Sequence, residues 1–262
     1  MGMVPEYPSV FWVLAVFSAM TVGVTKAGFG GGIGIIATPM LALAIPVADS
    51  AAIMLPLLIT GDIFSVAHYR TRFDRRSVCL LLPGSLFGIA AGAAFFGYFM
   101  NNERVLQVGL GILSMIFIAF QVGRAMITGI LEKRRPHAIE GVLVGAISGF
   151  TSTIVHAGGP PVAIYLLPQK LKRDLFVGTT VVFFAALNQI KLIPYIGLNL
   201  LRMEHVMTIL FLAPVCFIGV RLGVYLNKRF SELWFNRVVY SVLFLTGVQL
   251  LLGKNILSLF VE

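Results

Sequence analysis

Lys26-Ala27-Gly28-Phe29-Gly30-Gly31-Gly32-Ile33-Gly34 sits inside an apolar run that extends from about Ser9 to Ile45. The run is too long for one simple membrane crossing, which takes about 20 residues. Its glycines also weaken a helix, by about 1 kcal/mol each. In hydrocarbon, an N–H or C=O freed by such a break is costly unless protein or a water-filled cavity satisfies it. A glycine-rich break at membrane depth therefore needs a reason, and the strongest one is a binding site. A second break stands at His156-Ala157-Gly158-Gly159-Pro160-Pro161. Two breaks at matching places in two halves point to the site of a transporter.

Composition agrees. Of 262 residues, 58% are hydrophobic and 12% are charged, where a soluble domain carries about 25% charged residues. With a mean hydropathy of +0.93, the chain reads as an all-α polytopic membrane protein. It lacks the polar surface to coat a soluble globule, and the alternation of a closed barrel is absent. The formal charge of +9 is placed in short loops between apolar runs, which fits the cytoplasmic excess of Lys and Arg rather than nucleic-acid binding. Cys79 and Cys216 both fall in apolar runs and predict buried thiols, not a disulfide. The first apolar run has neither a basic leader nor a small-residue cleavage site, so no removable signal peptide is expected.

The first broken unit reads as pieces near 9–25 and 33–45, followed by helices near 49–69, 77–99 and 103–128. A basic linker, Leu131-Glu132-Lys133-Arg134-Arg135-Pro136, closes that half. The second half repeats the order: a broken unit near 137–152 and 159–169, then helices near 173–197, 203–227 and 231–253. The expected organisation is a first transmembrane repeat over 1–130, the linker 131–136, and a second repeat over 137–262. Arg70, Arg72, Arg75 and Arg76 fill one loop, and Lys133, Arg134 and Arg135 fill the loop two helices later. Both belong in the cytoplasm. If each broken unit enters and returns to the same side, Lys170, Lys172, Arg173, Lys228 and Arg229 also fall inside. A single net crossing would put all five outside. The first arrangement gives ten segments with both termini outside, and an odd number per half inverts the repeat. Glycines at 84, 88 and 92, at 141, 145 and 149, and at 219 and 223 form small-residue stripes that predict close helix–helix contact.

Gly28-Phe29-Gly30-Gly31-Gly32, leading to Pro39 and Leu41, resembles the sulfite exporter TauE/SafE family of membrane transporters, with Gly158-Gly159-Pro160 as a weaker echo. The resemblance covers essentially the whole chain. It implies a carrier that moves sulfite, sulfonates and related organosulfonates across the bacterial inner membrane. The second half departs from the pattern: Ala157 stands where the first cluster has another glycine, and Pro160-Pro161 doubles the proline.

Anion binding needs hydrogen-bond donors and positive potential. Half-helices that start at membrane depth offer both, through unpaired first-turn N–H groups and the positive end of the dipole. The expected ligands are the backbone N–H groups of Gly30, Gly31, Gly32, Gly158 and Gly159, since glycine lets an oxyanion come close. The competing reading is that these glycines only let two breaks cross tightly. Lys26 lies deep in its apolar run beside the first break, where a lysine is costly and functional by default. Against that stands snorkelling to an interface. His156 occupies the matching point of the second break and is a candidate for anion binding or proton sensing, with a structural histidine as the rival reading.

Asp62 is isolated in the following helix, as a carrier of a coupling proton or a partner of Lys26 or Lys191. Its counterpart in the second half is Asn188, with Gln189 beside it, both able to donate to an oxyanion. Helix–helix contact competes for each of these. Lys191 reads as reaching the outer interface, and Thr151, Ser152 and Thr153 as capping a half-helix, with lining of the second break as the alternative. Phe11, Trp12, Phe95, Phe96 and Trp234 read mostly as lipid or interfacial contacts.

The function these features predict is a secondary carrier for a small anion by alternating access, with a proton or sodium ion coupled through Asp62 or His156. The rival is an anion or small-solute channel on the same paired breaks. An enzyme is disfavoured: no HExxH, no His/Glu metal spacing, no Ser–His or Cys–His arrangement and no phosphate loop occurs. No cofactor is expected, and the partners are the anion, its coupling ion and the bilayer.

Overall fold

The computed structural model describes residues 7–29, 36–127, 136–229 and 232–253. These residues form ten α-helices and no strand: α1 (Ser9–Phe29), α2 (Ala37–Leu41), α3 (Val47–Tyr69), α4 (Arg75–Phe99), α5 (Glu103–Ile127), α6 (Ala138–Val155), α7 (Gly159–Leu166), α8 (Arg173–Gly197), α9 (Glu204–Arg229) and α10 (Glu232–Leu252). A 3₁₀ turn, Leu167–Gln169, extends α7. Among the described residues, α1, α3, α4, α6, α8 and α9 are long and apolar enough to cross a membrane. The 23 residues of α3 reach about 34 Å at 1.5 Å per residue, enough to join the two ends of the bundle.

The segments lie close to where hydropathy puts them, with one difference that matters. α1 does not stop at residue 25 but runs to Phe29, so Lys26 occupies its last turn rather than the break. A cation there meets the negative end of the helix dipole. Gly30, Gly31 and Gly32, and the basic linker apart from Pro136, lie outside the described residues. In the second half the break is plain: α6 ends at Val155, His156 turns into the left-handed region (φ 56°), and α7 starts at Gly159.

Two glycine-lined crossings hold the bundle. A Cβ on Gly84 or Gly88 of α4 would collide with the carbonyl oxygens of Val142 and Ala146. One on Gly145 or Gly149 of α6 would collide with those of Leu81 and Ser85. At the other crossing, Gly23 of α1 meets the Cys216 carbonyl, and Gly219 and Gly223 of α9 meet those of Met20 and Val24. Lipid supplies no hydrophobic drive between helices, so backbone approach of this kind carries the association.

The pairing is reciprocal. α1, which opens the first half, packs on α9, and α6, which opens the second, packs on α4. α3 pairs with α8 and α5 with α10. The first helix of each half thus packs on the fourth of the other, the third on the third and the fifth on the fifth.

Polar ties join the halves at both ends of the bundle. At one end Arg72 pairs with Asp174 (3.3 Å), the Asp74 N–H donates to Thr179 Oγ1 (2.8 Å), and Ser77 Oγ meets Gln169 (3.3 Å). At the other, Tyr7 bonds His205 Nδ1 (3.1 Å), while Asp49 faces both His205 Nε2 (3.4 Å) and Arg202 (3.9 Å). Burial of Tyr7 in this cluster pushes its hydroxyl pKa up.

Two expectations about surface residues change. Phe11 and Phe96 are core residues rather than lipid contacts, because the helices they sit on bury those faces against α3 and α8 neighbours; Phe11 stacks on Tyr7 and Phe96 on Tyr195. Cys216 is buried as expected, but Cys79 is exposed, on the face of α4 turned away from its glycine stripe.

Candidate functional site

Three helices bring charged side chains together in the middle of the bundle. Lys26 of α1, Asp62 of α3 and Lys191 of α8 are 4%, 3% and 0% exposed, and they are the buried Lys, Arg, Asp or Glu residues among those described. Gly61 leaves the space through which Lys26 runs along α3, since a Cβ there would come within 3.2 Å of Lys26 Cδ. Lys26 Nζ forms an ion pair with Asp62 Oδ1 and donates to the Leu58 carbonyl (2.6 Å). Asn188 Nδ2 donates to the other carboxylate oxygen, Asp62 Oδ2, at 2.7 Å. Each oxygen of the Asp62 carboxylate thus faces a nitrogen donor.

One turn further along α8, Lys191 Nζ meets three acceptors: the Ser152 carbonyl (3.1 Å), Ser152 Oγ (3.0 Å) and His156 Nδ1 (2.9 Å). Three acceptors match the three protons of an ammonium. His156 Nε2 lies 3.1 Å from the Ala51 carbonyl, so the ring donates there and accepts at Nδ1. That pattern describes a neutral imidazole with its proton on Nε2. Tyr195, one turn beyond Lys191, donates to the Thr153 carbonyl (2.8 Å). Asn188, Lys191 and Tyr195 share one face of α8, at the i, i+3, i+7 spacing.

The backbone at the break is itself tied down. The N–H of His156 bonds the Ser152 carbonyl (3.1 Å) and that of Ala157 the Thr151 carbonyl (3.3 Å). Ser148 Oγ donates to the Gly158 carbonyl at 2.9 Å. A Cβ on Gly158 would lie 2.7 Å from Ser148 Oγ and 2.9 Å from Phe184 Cε1, so glycine is needed there for close packing. Pro160 and Pro161 remove two N–H groups from the first turn of α7, which concentrates the available donors near Gly158 and Gly159.

Set against the sequence-based expectations, Lys26, Asp62, His156 and Asn188 converge, and Gly158 and Gly159 lie at the break beside them. Gln189 does not join them: it is exposed, a step of about 100° around α8 from Asn188. Lys191 does not reach an interface as expected, but is fully buried in the centre. Of the three hydroxyls expected to cap α6, Thr153 bonds back to the Gly149 carbonyl, whereas Ser152 faces Lys191 with both of its oxygens. Sequence reasoning preferred a capping role for Ser152 over lining the break, and an interfacial position for Lys191. The signal available for Lys191 was its spacing of three from Asn188.

A bundle of membrane-length apolar helices that encloses two lysines and a carboxylate beside a helix break is the arrangement of a membrane transport protein. The sequence model described as sulfite exporter TauE/SafE matches residues 15–250, and the chain belongs to that family. No curated protein and no solved structure matched the chain.

Proposed function

We propose that the protein is a secondary carrier for a small sulfur-containing or organic anion, such as sulfite or a sulfonate, bound where the two helix breaks meet. The observation that carries this reading is the buried charge: two lysines stand against one carboxylate, 0–4% exposed. An uncompensated ammonium in a low-dielectric interior is unfavourable, and a bound anion removes the imbalance. Lys26, Lys191, Asn188 and the N–H groups of Gly158 and Gly159 supply donors from the described part of the site. Gly30, Gly31 and Gly32 supply the rest from the first break, as the resemblance between the halves suggests.

The reciprocal packing of α1 on α9 and α6 on α4 supports two five-segment repeats of opposite orientation, 1–130 and 137–262. The basic loops around Arg72 and Lys172 share one end of the bundle, which supports placing that end in the cytoplasm and both termini in the periplasm of a bacterial inner membrane. Access alternates as the cross-half ties at one end open while those at the other hold. Coupling runs through Asp62 or His156, which sit in the same cluster as the anion's cations and take up a proton once the anion has left.

Proteoliposomes test the reading. Lys26→Met is expected to abolish anion transport while leaving membrane insertion and the elution volume of the purified protein unchanged; wild-type rates in that variant would remove Lys26 from the site. The carrier reading also demands saturation and stimulation of uptake by anion on the opposite side. Flux that neither saturates nor exchanges would assign a channel instead.

A further inference from the structure

We infer that the site selects its cargo by charge, taking a singly charged oxyanion in preference to a doubly charged one of similar size. The inference rests on the anion-carrier reading and adds a rule for which anions are carried. Partner chemistry gives the loaded site two ammoniums, on Lys26 and Lys191, one carboxylate on Asp62 and a neutral His156. Their sum is one positive charge. One negative charge brings the buried cluster to neutrality, whereas two leave it with an excess negative charge.

The penalty for an excess charge in a low-dielectric interior is large, and it is the same in kind for either sign. A dianion therefore trades one imbalance for its mirror image, and a monoanion removes it. Asp62 is the group that sets this balance. Paired to Lys26 and held by Asn188, it acts as a built-in anion that occupies one of the two cations and leaves a single vacancy of charge for the cargo. Without it, the same two lysines would suit a dianion. A permanent sulfonate fits the rule at any pH. Sulfite fits it in its singly protonated form, and sulfate does not fit.

Methanesulfonate and sulfate are suitable probes, since both present tetrahedral sulfur oxyanions and differ in charge. Isothermal titration calorimetry on the purified protein, at fixed pH and ionic strength, is expected to give methanesulfonate at least tenfold tighter binding than sulfate. Asp62→Asn raises the sum by one, and the ratio is expected to fall at least tenfold or invert. Lys191→Gln lowers the sum to zero and is expected to weaken methanesulfonate at least tenfold. Wild-type protein that binds sulfate as tightly as methanesulfonate overturns the charge rule and leaves the carrier reading standing. So does a folded Asp62→Asn variant with an unchanged ratio. If Asp62→Asn does not fold, the wild-type ratio decides alone. If neither anion binds, the carrier reading itself falls and the charge rule falls with it.

Discussion

His156 shows how much a single residue is asked to do at the break. Its backbone sits at φ 56°, a region non-glycine residues seldom adopt and which must be held by surrounding contacts. Here those contacts are Lys191 on one ring nitrogen and the Ala51 carbonyl on the other. His156→Ala is expected to lower transport at least tenfold, measured as initial uptake in proteoliposomes, because Lys191 loses an acceptor and the turn loses both tethers. Tyr195→Phe tests the neighbouring contact and should separate stability from function. It leaves the buried Thr153 carbonyl without its donor, a loss of about 1–3 kcal/mol, and should lower the melting temperature while transport persists.

At this scale the sequence was informative about Lys26 and Asp62, because a charge alone in an apolar run stands out. Lys191 was hidden by its setting. It lies near the end of α8 in a polar stretch, where hydropathy alone assigns a lysine to the interface, and only the packing of α8 on α3 and against the end of α6 encloses it.

Among elements, the crossings of α4 on α6 and α1 on α9 are the most constrained, since backbone touches backbone at successive glycines. Gly88→Leu is expected to prevent assembly, read as loss of the monodisperse peak in detergent. The control is Gly109→Ala in α5, where an added Cβ meets nothing within 4 Å. That change should be neutral or stabilising by about 0.5–1 kcal/mol, since alanine restricts the unfolded chain and favours helix. The stripes were legible from their spacing of four, but not their partners. Spacing marks a face as close-packed and leaves open which helix it meets. Likewise the break at residues 156–158 could be read from glycine and proline chemistry, whereas the extension of α1 to Phe29 could not, because glycine at a helix end is tolerated and gives no stop signal.

Across the molecule, the ties at the two ends join opposite halves and are made largely of exposed or half-exposed groups, as the proposed alternating access needs. Arg72 and Asp174 are each 61% exposed, so their pair adds little stability and is easily broken. The cluster of Tyr7, His205 and Asp49 at the other end is more enclosed. Cysteines placed at Arg202 and at Lys172, in a background with Cys79 and Cys216 replaced, should label from opposite sides of intact spheroplasts. A membrane-impermeant maleimide is expected to reach position 202 and not 172; the reverse pattern would invert the proposed orientation. Orientation was open to sequence reasoning because it follows from counting Lys and Arg in short loops. The reciprocal pairing of helices was not, because it is a property of contacts between distant segments.

Asn188 and Lys191 are separated by a single turn of the same rigid rod, yet one grips the acidic member of the first half and the other the imidazole of the second. A rod transmits displacement without slack, so any tilt of α8 that loosens one grip is felt at the other in the same movement. In the proposed carrier, such a linkage works against partially engaged states in which solute could slip through, and it favours a fixed ratio of cargo to stroke.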